Sequence, residues 1–158
     1  MLLAVDLGLR TGFACYARAG RLAWYRSRNY GSRARRKRAA FTMLREEKQL
    51  THLVVEGGGA LAGLWEREAE RRDLDFKRIH AGVWRRLLLH PREQRTGKGA
   101  KELADTLARA VIDWAGANRP TSLRHDAAEA ILVGLWGVVE SGWLALDALP
   151  STVRRVGV

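Results

Sequence analysis

Four carboxylates in this chain have neighbours that fit them for chemistry. Asp6 closes the apolar run Leu2–Val5 and stands two residues before Gly8. Glu56 closes a second run, Leu53–Val55, and is followed by Gly57, Gly58 and Gly59. Asp126 and Glu129 lie three residues apart in HDAAEAILVGLWG, a stretch otherwise rich in Ala, Ile, Leu, Val and Trp. On a helix that spacing puts both acids on one side, with Cβ atoms about 5–6 Å apart. Gathered in one crevice, four such groups repel one another and force protons onto some members. Divalent cations remove that cost, because Mg²⁺ takes oxygen ligands and keeps waters, especially beside phosphate. Two ions about 4 Å apart can activate a water on one side of a phosphorus atom and stabilise the leaving oxygen on the other. Three of the acids also have an ordinary role open to them: Asp6 and Glu56 as strand-end or turn residues, Asp126 as a partner of the helix dipole; Glu129, among Ala127, Ala128, Ala130, Ile131 and Leu132, is harder to dismiss. The combination is the more specific signal.

The surroundings suit a phosphate substrate. Lys and Arg number 28 against 17 Asp and Glu, a net charge of +11, which favours polyanions and makes nucleic acid the first partner to test, ahead of an anionic membrane. Between Arg18 and Lys48 there are eleven basic residues and two acidic ones. Arg33, Arg35, Arg36, Lys37 and Arg38 cannot share one helix face, so they describe a broad phosphate-contacting surface rather than a base-reading code. Arg95, Lys98 and Lys101 add cations around TGKG. A solvated charge run remains the alternative for both groups.

Cysteine and histidine chemistry is thin. Cys15 is the only cysteine, so an intrachain disulfide and a cysteine-based metal site are excluded; a buried strand thiol is expected. His52, His80 and His90 show no metal-ligand spacing, which argues against a zinc hydrolase. His125 either adjusts the charge of the acidic pair or simply starts a helix. MLLAVDLG has no basic segment before its apolar run and is too short for a signal peptide. No membrane span is expected either. The expectation is a soluble protein that is not secreted: cytoplasmic or nucleoid-associated, or in the host cytoplasm for a viral chain.

The elements that must position these residues follow from periodicity. A chain of 158 residues predicts one domain with a sizeable core. LLAVDLG, TGFACYAR and GRLAWYRSRN read as three strands, the first two joined at Gly8 and the third antiparallel to the second. A helix is predicted from about Ser32 to Gln49, a buried strand at THLVVE, and a charged helix over 61–74. A short strand around Phe76–His80 precedes a short helix through VWRRLLLH. Pro91–Gly99 reads as a basic loop. Leu103, Ala104, Leu107, Ala108, Val111, Ile112 and Ala115 then recur at helical period. The last long helix follows GANRPTS, where Thr121 or Ser122 can cap it. The folded domain is placed at 1–142, with 143–158 an irregular and mobile tail. Strands mixed with helices in this order predict a three-layer α/β domain with a mixed sheet covered on both faces.

AVDLGLRTGFA, VVEGG, GKGAKELADTLARAV and HDAAEAILVGLWG together resemble the RuvC-type Holliday junction resolvases, in the RNase H-like nuclease superfamily. The first pattern alone is shared with actin-like ATPases, but this chain is too short for their two large lobes. The resemblance implies an RNase H-like fold and Mg²⁺-dependent endonuclease activity on four-way DNA junctions, with two ions per site and Mn²⁺ as a substitute. It implies paired nicks by a homodimer, leaving 5′-phosphate and 3′-hydroxyl ends. It assigns Asp6, Glu56, Asp126 and Glu129 as metal-binding catalytic acids. Lys101 matches the lysine that approaches the scissile region, with Lys98 nearby. The usual family pair is two aspartates; Glu129 keeps the charge but reaches one methylene farther, and the tail carries no alignable motif, as in a bacteriophage-like or divergent branch. The helix bearing Leu61, Leu64, Trp65 and Ala69 is assigned to the dimer interface. Two other functions stay open: an RNase H-like nuclease acting on RNA–DNA hybrid or structured RNA, and a non-catalytic basic DNA-binding domain.

Overall fold

The computed structural model describes residues 1–90 and 97–153; of Gly97 and Lys98 it describes the backbone only. Five strands form one mixed sheet: β1 (Leu2–Leu7), β2 (Arg10–Tyr16), β3 (Leu22–Asn29), β4 (His52–Glu56) and β5 (Asp75–Ile79), in the order β3-β2-β1-β4-β5. The first three form an antiparallel meander, and β4 and β5 add in parallel to β1. Helices α1 (Arg33–Glu46) and α2 (Gly59–Glu70) pack together on one face. Helices α3 (Ala81–Leu88), α4 (Gly97–Ala115) and α5 (His125–Glu140) cover the other. This is the RNase H-like three-layer architecture with a mixed central sheet flanked by helices.

Strand alternation sorts the core into two layers. Leu3, Val5, Phe13, Cys15, Leu53 and Val55 face α1 and α2, where they meet Ala40, Met43, Leu44 and Trp65. Leu2, Ala4, Ala14, Tyr16 and Val54 face α5. Because side chains change face at every residue, Asp6, Gly12 and Glu56 continue the series that points toward α5. That parity decides where the chemistry can lie.

Helix α5 is apolar almost all round, as a helix sandwiched between sheet and α4 must be. It sits close to the strands because glycines remove side chains at the crossing. A Cβ on Gly134 would stand 2.4 Å from the Tyr16 ring, and one on Gly137 would stand 3.0 Å from both Leu2 and Val54. Tyr16 is fully buried and donates its phenol hydrogen to the Ile131 carbonyl oxygen at 2.6 Å, tying β2 to the same helix.

The boundaries differ from expectation in identifiable places. Ser32 is not the first residue of α1 but its cap, its hydroxyl accepting from the Arg35 amide. Helix α2 runs earlier than 61–74, starting at Gly59 because the glycine run, instead of remaining loop, adopts the backbone angles that turn β4 into the helix. Helix α4 begins inside the expected loop, at Gly97. Neither Thr121 nor Ser122 caps α5; Arg124 occupies that position without a side-chain cap. Residues 143–153, expected to be irregular, contain only a short 3-10 turn, Leu146–Ala148, and lie along the core, where Leu149 and Val153 are buried and Trp143 meets His52 edge-on at 4.6 Å. Trp65 and Ala69, assigned to a dimer surface, are buried within the protomer instead, Trp65 stacking at a tilt on Phe13. Of that group only Leu61 and Leu64 reach the surface. Among the described residues, no helix is long and apolar enough to cross a membrane.

Candidate active site

The four acids meet at one end of the sheet. Asp6 and Glu56 stand directly opposite each other in the parallel β1–β4 register, at the C-terminal ends of their strands. On its other side Asp6 pairs with Gly12 of β2. The first turn of α5 rests on that glycine: a Cβ at Gly12 would stand 1.9 Å from the Asp126 carbonyl oxygen. Absence of a side chain there lets Asp126 and Glu129 descend onto the strand ends. Gly12→Ala is therefore expected to lift the start of α5. A clash with backbone cannot be relieved by rotating a side chain, so a cost of about 1–3 kcal/mol should appear as a lowered urea midpoint.

Charge interactions demonstrate the convergence. Burial, and then the negative charges of Glu129, Glu56 and Asp126, push the Asp6 carboxyl from its ordinary 3.8 up to about 8, against an opposing pull from Arg85. Burial also raises Glu56 from 4.5 to about 7, with a hydrogen bond from Trp84 working the other way. Glu56 is only 9% exposed.

Two of the acids are held by residues of α3. The indole Nε1 of Trp84 donates to Glu56 Oε2 at 2.7 Å, and Arg85 Nη2 donates to Glu129 Oε1 at 3.1 Å. His125 Nε2 approaches the second Glu129 oxygen at 3.4 Å. Asp126 Oδ2 is buried and accepts no hydrogen bond. An orphaned buried carboxylate oxygen is costly unless something cationic or a donor completes it.

The donor set is oxygen alone, the kind a hard divalent cation takes. As the side chains stand, no group of three His, Cys, Asp or Glu among the described residues is arranged to hold a metal ion.

The basic residues fall around the acids rather than among them. Lys101 is exposed on α4 and lines an open cleft with Glu102, Asp105, Leu123 and His125, a lining that includes none of the four acids. Arg95 and the side chain of Lys98 lie outside the described residues. Arg33, Arg36 and Lys37 line a cavity of about 230 Å³ with Gly58, Ala60, Leu61 and Leu64, beside the chain leaving Glu56. Arg35 and Arg38 turn the other way, toward Arg28 and Tyr30 of the β3 edge. The cations of α1 thus spread over two sides of the helix.

Sequence reasoning passed over Gly12, Trp84 and Arg85. Gly12 carried a legible signal, a residue without a side chain on the strand next to Asp6. Trp84 and Arg85 carry no such signal, because nothing local distinguishes a tryptophan that merely fills space from one that also donates a hydrogen bond, or a surface arginine from one paired with a distant acid.

No protein-family model matches the chain, and no curated protein matches it. Solved structures do resemble it. A Thermus thermophilus RuvC structure aligns with a TM-score of 0.60 at 12% identity, covering 89% of this chain and 95% of that one. T. thermophilus RuvC in complex with Holliday junction substrate aligns with a TM-score of 0.57 at 11% identity, covering 89% and 94%. At such identity the likeness is one of fold, extending over nearly the whole of both chains.

Proposed function

We propose that this chain is a divalent-metal-dependent endodeoxyribonuclease that resolves four-way DNA junctions by paired phosphodiester hydrolysis. The observation that carries this reading is the convergence of Asp6, Glu56, Asp126 and Glu129, where burial first and then the other three charges raise Asp6 to about 8 and where Asp126 Oδ2 is buried without a hydrogen-bond partner. A site that strains to keep its negative charge is one prepared for cations. The whole-length likeness to a RuvC bound to a Holliday junction supports the choice of branched DNA.

Mg²⁺ bound by these oxygens, or Mn²⁺ in its place, supplies Lewis-acid charge and lowers the pKa of water. The protein's own contribution is placement. Asp6, which lies between β2 and β4 and feels the charge of the other three acids, would hold the metal together with Glu56, Asp126 and Glu129. In the reaction water adds to phosphorus and the bond to the 3′ oxygen breaks. The 3′ oxygen leaves with a proton, giving 5′-phosphate and 3′-hydroxyl ends. Lys101 and His125, lining the cleft beside the acids, meet the phosphate charge of the approaching strand. Arg33, Arg35, Arg36, Lys37 and Arg38 hold the arms through their phosphates, joined in this reading by Arg95 and Lys98. A homodimer matches a substrate with near two-fold symmetry, because the same surface can meet both arms.

The test compares four-way DNA, linear duplex of the same sequence, RNA–DNA hybrid and structured RNA under Mg²⁺. Paired nicks confined to the junction support the proposal; preferential cutting of hybrid or RNA reassigns the substrate, and binding without any cutting leaves a DNA-binding domain. Replacing Arg33, Arg36 and Lys37 together by Gln should weaken junction binding and make the dependence of log K on log salt shallower by about 2–3, at roughly 0.9 per phosphate contact. Fluorescence titrations across salt concentrations measure that slope, and an unchanged value removes this cavity from the DNA surface.

A further inference from the structure

Trp84 and Arg85 are adjacent on α3, yet they reach acids on two different elements. Trp84 is fully buried, and its only polar atom is spent on Glu56 Oε2 at the end of β4. Arg85 is one quarter exposed and bonds Glu129 Oε1 on α5, with its guanidinium carbon 5.2 Å from the Trp84 ring centre. The two interactions differ in kind. An indole N–H is neutral and fixed by packing, so it orients a carboxylate without competing for its charge. A guanidinium is a permanent cation on a long side chain, so it supplies charge that another cation can replace.

We infer that α3 carries a positioning pair for the acidic site: Trp84 fixes Glu56 with its second oxygen directed to a metal ion, and Arg85 is an internal counter-ion that yields Glu129 when metal binds. The inference rests on the nuclease reading above only in taking these acids as metal ligands. It accounts for an arrangement in which two of the acids already take a donor from α3, while no three His, Cys, Asp or Glu among the described residues form a ready-made ligand set. Preorganisation is supplied on one side of the site and electrostatic insurance on the other.

The two residues therefore have opposite effects on metal affinity. Removing the indole N–H frees Glu56 to rotate, and binding must then order it. Removing the guanidinium eliminates a competitor for Glu129 and a like charge beside the incoming ion. The experiment is calorimetric titration of Mn²⁺ into the full-length protein without DNA, for wild type, Trp84→Phe, Arg85→Gln and Arg85→Lys. Trp84→Phe should weaken Mn²⁺ binding fivefold or more, and in a Glu56→Gln background the same substitution should change it less than twofold. Arg85→Gln should tighten binding at least threefold, with Arg85→Lys close to wild type. An equal loss from Trp84→Phe with and without Glu56 would reveal general structural damage and overturn the positioning role. Weaker binding in Arg85→Gln would overturn the counter-ion role. Should Trp84→Phe fail to fold, the sign of the Arg85→Gln effect decides the matter at a position that is not fully buried. A wild-type protein that binds no Mn²⁺ overturns both this inference and the nuclease reading. One that binds Mn²⁺ with these signs but cuts no nucleic acid overturns the nuclease reading alone.

Discussion

Asp6→Asn is expected to bind a four-way junction with near wild-type affinity and leave it uncut, with the rate down at least 10³-fold, or about 4 kcal/mol of lost transition-state stabilisation. The amide preserves the shape of the side chain but removes the charge from the acid that the other three all influence. The same variant should be more stable than wild type at pH 8 in EDTA. Asn brings no charge to repel Glu129, Glu56 and Asp126, and its burial cost is smaller. Gel assays of cleavage and binding, paired with melting curves, measure both effects. Cleavage at the wild-type rate would strip Asp6 of its role, whereas lower stability at pH 8 would contradict the convergence itself. Loss of activity joined to gain of stability is hard to obtain by damaging the fold, so the pair of results is more discriminating than either alone.

Metal-free wild type should lose stability as pH rises from 5 to 8.5. Asp6 and Glu56 both have folded-state pKa values above their ordinary ones, at about 8 and about 7. The folded protein therefore binds more protons than the unfolded chain across that window. Stability then falls with rising pH, the contribution being intact below about pH 4 and lost by the time pH passes about 8. A drop in Tm of roughly 5 °C or more is expected for a domain of this size. Mg²⁺ or Ca²⁺ should reverse it, raising Tm more at pH 8.5 than at pH 5, because ions bind the deprotonated cluster. Scanning calorimetry in EDTA and in 10–20 mM divalent salt, a range chosen to exceed a weak site of about millimolar affinity, checks the sign. A Tm that is flat or rises with pH in EDTA, or a metal effect independent of pH, would refute the buried cluster. Asp6→Asn should flatten the wild-type slope, which isolates this site from titrations elsewhere.

Much of this arrangement was legible beforehand because it obeys short periods. The apolar runs LLAV and LVV, each closed by an acid, placed Asp6 and Glu56 at strand ends, and helical periodicity found α4 and the acidic pair of α5. The three-strand meander followed from apolar runs broken by Gly8 and Gly20. The misassigned positions were those where local pattern is silent about long-range packing. Trp65 and Ala69 look like exposed interface residues on a charged helix, but α2 turns them inward onto Phe13 and the α1 side of the sheet. Thr121 and Ser122 resemble caps, although the chain reaches α5 two to three residues later.

By itself the sequence determined which acids exist, that two apolar strands each carry one at the C-terminal end, and that Asp126 and Glu129 share a helical side. It also determined the cationic surroundings. Only the tertiary structure decided that β1 lies beside β4 with Asp6 opposite Glu56, and that α5 settles onto Gly12 closely enough to bring its acids to them. Only the tertiary structure, too, brought Trp84 across 28 residues to Glu56 and Arg85 across 44 to Glu129. The physical reason is range. Helix and strand periods follow from backbone geometry within a few residues, whereas strand order, the missing Cβ under a helix and a charge paired across the chain depend on how whole layers pack.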